Sequence, residues 1–156
     1  MIQRIQSLYL LLTVILMGIL CFIPLASFLS GGEVYKLFAW GIRATGPHPT
    51  VVVPSVYMGI LLGLSILVPL VTIFLYKRRL IQIRLCIVEM VLLVGMELYV
   101  VFYLYKVWKT ISVQASHQLV FSVVDLFPLI SLVLVYLAFR AIARDEALVQ
   151  FMDRIR

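Results

Sequence analysis

The chain has 156 residues, of which 64% are hydrophobic and only 13% charged, with a mean hydropathy of +1.15. Soluble domains run at about 45–50% apolar and about 25% charged, so this balance excludes a water-soluble enzyme domain and points to one integral membrane domain, 1–156. The formal charge of +6 does not imply a nucleic-acid partner, because the basic residues lie in short clusters at the ends of apolar runs, where membrane topology and anionic headgroups account for them.

A bilayer core of about 30 Å takes about 20 apolar residues as a helix. Four segments meet that length, at about 8–29, 52–76, 85–105 and 119–139. They predict an all-α, membrane-embedded four-helix bundle. The first is longer than the roughly 7–15 residues of a signal-peptide core, and Pro24 sits badly for cleavage after Ala26, so it is expected to remain as a helix.

The longest connection, SGGEVYKLFAWGIRATGPHPTV at 30–51, holds an apolar run between Gly31-Gly32 and Gly46-Pro47. That pattern predicts a short hairpin lying on the membrane face, with Tyr35, Trp40 and Trp108 as interfacial aromatics. In the second segment, Ser55, Gly59 and Gly63 form a stripe of small residues that lets helices pack closely. Pro69 removes the usual donor for the Ser65 carbonyl and is expected to bend the helix. The basic turn KRRLIQIR at 77–84 makes the second and third segments antiparallel neighbours.

The third segment carries Glu89 and Glu97, and the fourth carries Asp125 close to Pro128. Counted at 1.5 Å per residue, Glu97 falls about 3 Å and Asp125 about 6 Å to the same side of the span centres, so the two are expected to meet. An ionised carboxylate at that depth costs at least about 2.5–3.5 kcal/mol, and no lysine or arginine shares it, so one of the pair is expected to hold a proton. Glu89, nearer the other side, is expected to reach Arg84 and the headgroups. Pro128 frees the Val124 carbonyl beside Asp125 and is expected to kink the helix.

Past residue 139 the chain continues as RAIARDEALVQFMDRIR, an amphipathic tail helix at 140–156 suited to the membrane surface or a partner. Arg4 is available to Asp145 or Glu146 across the bundle end. Orientation follows from the lysines and arginines. Arg4, Lys77, Arg78, Arg79, Arg84, Arg140, Arg144, Arg154 and Arg156 make nine on one side. Lys36, Arg43, Lys106 and Lys109 make four on the other. Both termini are therefore expected to be cytoplasmic, with the basic residues contacting headgroups or a partner.

The opening MIQRIQSLYLLL, the DLFPLI of the fourth segment and the closing RDEALVQFMDRIR resemble a family of small bacterial four-span proteins catalogued as a domain of unknown function. The resemblance runs the length of the chain and implies a four-helix protein of the bacterial inner membrane. It carries over no catalytic residues.

Chemistry is sparse elsewhere. Cys21 and Cys86 fall far apart and are expected to stay as thiols. His48 and His117 lack metal-ligand spacing, and no nucleophile stands beside a base. No cofactor and no enzymatic activity are expected. The sequence points to a structural or accessory protein that binds lipid, a larger membrane complex or its own copies. The alternative is a small proton- or cation-coupled transporter using Glu97, Asp125 and Glu89.

Overall fold

Four helices form a closed ring. They are α1 (Gln3–Leu20), α2 (Val56–Phe74), α3 (Arg79–Ile111) and α4 (Phe127–Ile155) in the computed structural model, which describes residues 3–30, 33–44, 51–75, 78–111, 119–121 and 123–155. Helices α1 and α3 each pack against both α2 and α4. Neighbours run antiparallel, because the polar contacts pair early residues of one helix with late residues of the next. At one end Gln6 meets Asp145 and Gln82 meets the Thr72 carbonyl, while at the other Ser55 meets Tyr99.

The ring closes because buried positions recur at alternating steps of three and four residues. On α1 they are Gln6, Leu10, Thr13, Met17 and Leu20; on α3, Gln82, Cys86, Glu89, Leu93, Met96 and Val100. On α2 they run Met58, Leu62, Ser65, Pro69 and Thr72, following Ser55 at the cap. On α4 they run Pro128, Ser131, Val135, Ala138 and Ile142, preceded by Val124. Such spacing keeps one seam facing the partner helices, the geometry of a left-handed bundle.

The outer faces are apolar. Leu8, Ile60, Leu67, Val91, Leu98 and Val133 are all exposed, a distribution that suits lipid and not water. Three helical segments, Val56–Phe74, Arg79–Tyr105 and Val124–Val149, are long and apolar enough to cross a membrane, and the apolar part of α1, Ile5–Leu20, is shorter.

The expected helical bundle is present, and a small antiparallel sheet is added at one end. Its strands are β1 (Ala26–Ser30), β2 (Glu33–Phe38), β3 (Gly41–Ala44), β4 (Val51–Pro54) and β5 (Leu119–Phe121), in the order β4-β3-β2-β1-β5. The hairpin expected in the long connection is the β2–β3 pair, with Tyr35 opposite Ala44 and Phe38 opposite Gly41. Gly41 takes φ 140°, a conformation that side-chain-bearing residues rarely adopt.

Three strands come from residues assigned by hydropathy to spans. The span expected at 8–29 ends as a helix at Leu20, where turns at Cys21–Phe22 and then Pro24 redirect the chain into β1. The spans expected from 52 and from 119 instead start as helices at Val56 and Phe127, after β4 and β5. β-Branched Val51, Val52 and Val53 favour the strand. The third helix is longer than expected, reaching back to Arg79 and on to Ile111, and the tail expected at 140–156 continues α4 through Ile155.

The sheet docks onto the bundle. Leu25, Leu37 and Ala39 are wholly buried in the same apolar cluster as Leu20 and Met58. The Leu25 amide donates to the Leu37 carbonyl at 2.7 Å, and the Ser55 amide to the Trp40 carbonyl at 3.2 Å. Cys21 and Cys86 are free thiols.

Candidate functional site in the bundle interior

The interior seam carries the polar groups. Gln6, Thr13, Ser55, Ser65, Thr72, Gln82, Glu89 and Ser131 are all buried. They fall into an end layer, a middle layer and a layer under the sheet.

The end layer is fully bonded. Gln6 Nε2 donates to Asp145 Oδ2 at 2.7 Å, and Arg79 Nη1 donates to the Asp145 carbonyl at 3.4 Å. Gln82 Nε2 donates to the Thr72 carbonyl at 2.9 Å, and the Thr72 hydroxyl to the Val68 carbonyl at 2.7 Å. These bonds tie all four helices at one level. Asp145 thus receives Gln6 and Arg79; the side chain of Arg4, expected here, lies outside the described residues, as does Lys77. Arg78, Arg84, Arg140 and Arg144 are exposed at or near this end.

The middle layer centres on Glu89, which is 1% exposed and whose two carboxyl oxygens have no hydrogen-bond partner among the described residues. The expected approach of Arg84 does not occur: Arg84 is exposed while Glu89 is buried. Residues five apart point about 140° away from each other around a helix, whereas pairs that meet are three or four apart. Ser65 and Ser131, both wholly buried, also have unpartnered hydroxyls. Thr13 donates instead to the Tyr9 carbonyl at 3.1 Å.

Under the sheet lie Glu97 and Asp125. Glu97 is within electrostatic reach of Asp125, yet both Asp125 oxygens and Glu97 Oε2 lack hydrogen-bond partners, so no direct bond joins the carboxyls. Asp125 lies in a single 3-10 turn, Val123–Leu126, at the sheet-side start of the span Val124–Val149. Nearby, Ser55 Oγ and the Tyr99 hydroxyl are 3.4 Å apart, and Tyr99 stacks on Tyr103 at 6.1 Å.

Pro128 occupies the second position of α4, where a missing N–H costs no intrahelical bond, so it starts the helix and does not kink a span. Pro69 does fall inside α2 and is buried on its seam. The small-residue stripe divides. Ser55 faces Tyr99, Gly59 accepts the Trp40 ring, and Gly63 is exposed with no atom within 4 Å of an added Cβ. A Cβ on Gly59 would stand 2.9 Å from Trp40 Cε3, so this glycine seats the sheet and not a neighbouring helix.

Gln6 and Gln82 were not singled out from the sequence. A signal was available: polar residues recur seven apart in otherwise apolar helices, as Gln6 and Thr13, Ser65 and Thr72, Gln82 and Glu89. A repeat of seven marks one face of a helix.

No group of three or more metal-ligating side chains gathers among the described residues, and His48 and His117 lie outside them. An apolar exterior, a seam of polar side chains and three helices of spanning length define a multi-pass helical membrane protein. Within that class, the chain belongs to the family described as Domain of unknown function (DUF4293), whose model matches residues 2–155. Comparison with curated proteins finds no match.

Proposed function

We propose that this is an accessory protein of the bacterial cytoplasmic membrane, with both termini cytoplasmic, which binds lipid, a larger membrane complex or its own copies and catalyses no reaction. The observation that carries this reading is the docking of the sheet on the helices, where Leu25, Leu37 and Ala39 are wholly buried in the bundle's apolar cluster. A carrier needs a path that opens to each side in turn, and apolar packing of the sheet against the helices favours a structural part. The nine-to-four distribution of basic residues supports the orientation. Extraction in lipid-preserving nanodiscs followed by mass spectrometry tests it. A stoichiometric protein partner, a homo-oligomer or a defined set of retained lipids is expected. A monomer that retains no partner and no selected lipid overturns it.

A second reading is favoured by the unpartnered carboxyls of Glu89, Glu97 and Asp125, a small proton- or cation-coupled transporter. Its test is flux into proteoliposomes. Glu89→Gln, Glu97→Gln or Asp125→Asn would abolish the flux while leaving the unfolding midpoint unchanged. Absence of flux in the unmodified protein removes this reading.

A further inference from the structure

Ser65 and Glu89 share one level of the bundle. Thr72 and Gln82 are hydrogen-bonded across α2 and α3, and Ser65 and Glu89 are each seven residues from that contact. They are also each ten residues from the Ser55–Tyr99 contact at the opposite end. Two antiparallel helices pinned at both ends, with equal counts to each pin, place these residues side by side on facing seams. Ser131 on α4 lies about one turn closer to the sheet, since Val135 is as far from the Arg79–Asp145 contact as Glu89 is.

Three side chains within about one turn of this level carry oxygens with no hydrogen-bond partner. Glu89 contributes a buried carboxylate, and Ser65 and Ser131 contribute buried hydroxyls, all unpartnered. A fourth group is a backbone carbonyl. In a helix the Ser65 carbonyl accepts from the amide of residue 69, but residue 69 is proline and has no N–H. A buried proline is costly inside a helix, and this one removes a donor beside an unpaired acid.

The charges facing the level leave Glu89 uncompensated. At this level the described buried positions of α1, α2 and α4 carry no titratable side chain, and that of α3 adds only Cys86, one turn away; Asp145 and Asp125 lie further off, toward the two ends of the bundle. Tyr9 on α1 and Glu97 on α3 are partly buried at the flanks. The Arg79 guanidinium is held at the Asp145 carbonyl. A buried carboxylate needs a positive partner, and acceptor oxygens of this kind suit a hard cation.

We propose that Glu89, with the Ser65 hydroxyl and carbonyl, forms a binding site for one monovalent cation, a proton or a sodium ion, in the centre of the bundle. A single charge balances a single carboxylate, whereas a divalent ion would leave net charge in an apolar core. Pro69 is a positioning residue, acting through the carbonyl that it frees. The site is independent of whether the protein is accessory or transports, since an accessory protein can hold a structural cation.

The full chain in nanodiscs, studied by infrared difference spectroscopy in choline and in sodium buffers from pH 5 to pH 9, tests this. Subtracting Glu89→Gln isolates the Glu89 carboxyl. An un-ionised carboxyl band in both buffers identifies the proton, and a band present in choline and converted to carboxylate by sodium identifies sodium. Pro69→Ala restores an amide donor to the Ser65 carbonyl and is expected to weaken cation affinity about tenfold. An ionised Glu89 throughout, indifferent to sodium, overturns the proposal. Should Glu89→Gln fail to fold, dicyclohexylcarbodiimide on the unmodified protein serves, since it couples to protonated carboxyls in apolar surroundings. An adduct at Glu89, with or without sodium protection, supports the site, and no adduct at pH 6 in choline overturns it.

Discussion

Gln6 on α1 donates a 2.7 Å hydrogen bond to Asp145 on α4, joining residues 139 apart in the chain. Asp145 also accepts Arg79 from α3 through its backbone carbonyl. One residue therefore fixes the first, third and fourth helices at the end that is away from the sheet. Removing either partner of the Gln6–Asp145 bond leaves a part-buried polar group unpaired, so Gln6→Ala and Asp145→Ala should each lower stability by about 1–3 kcal/mol. The double variant should cost less than the sum of the two. Reversible unfolding in mixed micelles measures all three, and strict additivity would show that the bond contributes nothing.

The seat of Trp40 gives a sharper contrast. A Cβ at position 59 meets the indole ring, while one at position 63 meets nothing within 4 Å. Gly59→Ala should displace the ring and destabilise by about 1–3 kcal/mol, the usual range for overpacking. Gly63→Ala should be neutral or slightly stabilising. Unfolding midpoints, with Trp40 emission in a Trp108→Phe background, separate the two, and equal behaviour would refute this docking.

Glu97 and Asp125 lie within electrostatic reach without a bond between them. Cysteines at these positions, in a background with Cys21 and Cys86 replaced, should be joined by a short bifunctional maleimide. Cysteines at 89 and 125 should not be, because Glu89 sits eight residues further from the sheet. Cross-linking of the second pair alone would overturn the level assignment.

Orientation is open to direct labelling. A cysteine replacing exposed Arg43 on β3 should react with an impermeant maleimide added outside spheroplasts. Cysteines replacing Arg84 or Arg144 should react only after lysis. The reverse pattern would invert the topology.

The helical bundle was legible because an apolar run of about 20 residues suits little besides a membrane-spanning helix. Of the sheet only the β2–β3 hairpin was legible; β1, β4 and β5 were not, since ASFLS, VVVP and LVF are too short for periodicity to tell strand from helix, and each adjoins a longer apolar run. Pro24 was the usable stop signal for α1. The three acids were visible as anomalies, but their partners were not. The fourth apolar run, from which the depth of Asp125 was counted, includes β5 and the 3-10 turn before the helix. The deep stripe with Ser65, Glu89 and Ser131 depends on helix rotation, which only the packed seam defines.

The pairing of β1 with β5, which aligns Phe28 with Leu119, bears on the order of assembly. These strands are separated by most of the chain, so the sheet cannot be completed while synthesis has delivered only the first three helices. Until β5 arrives, β1 retains an open edge able to recruit a foreign strand. Completion of the sheet is thus a late event coupled to insertion of α4. A chain truncated before residue 119 should present its unfilled edge to quality-control proteases on that side of the membrane.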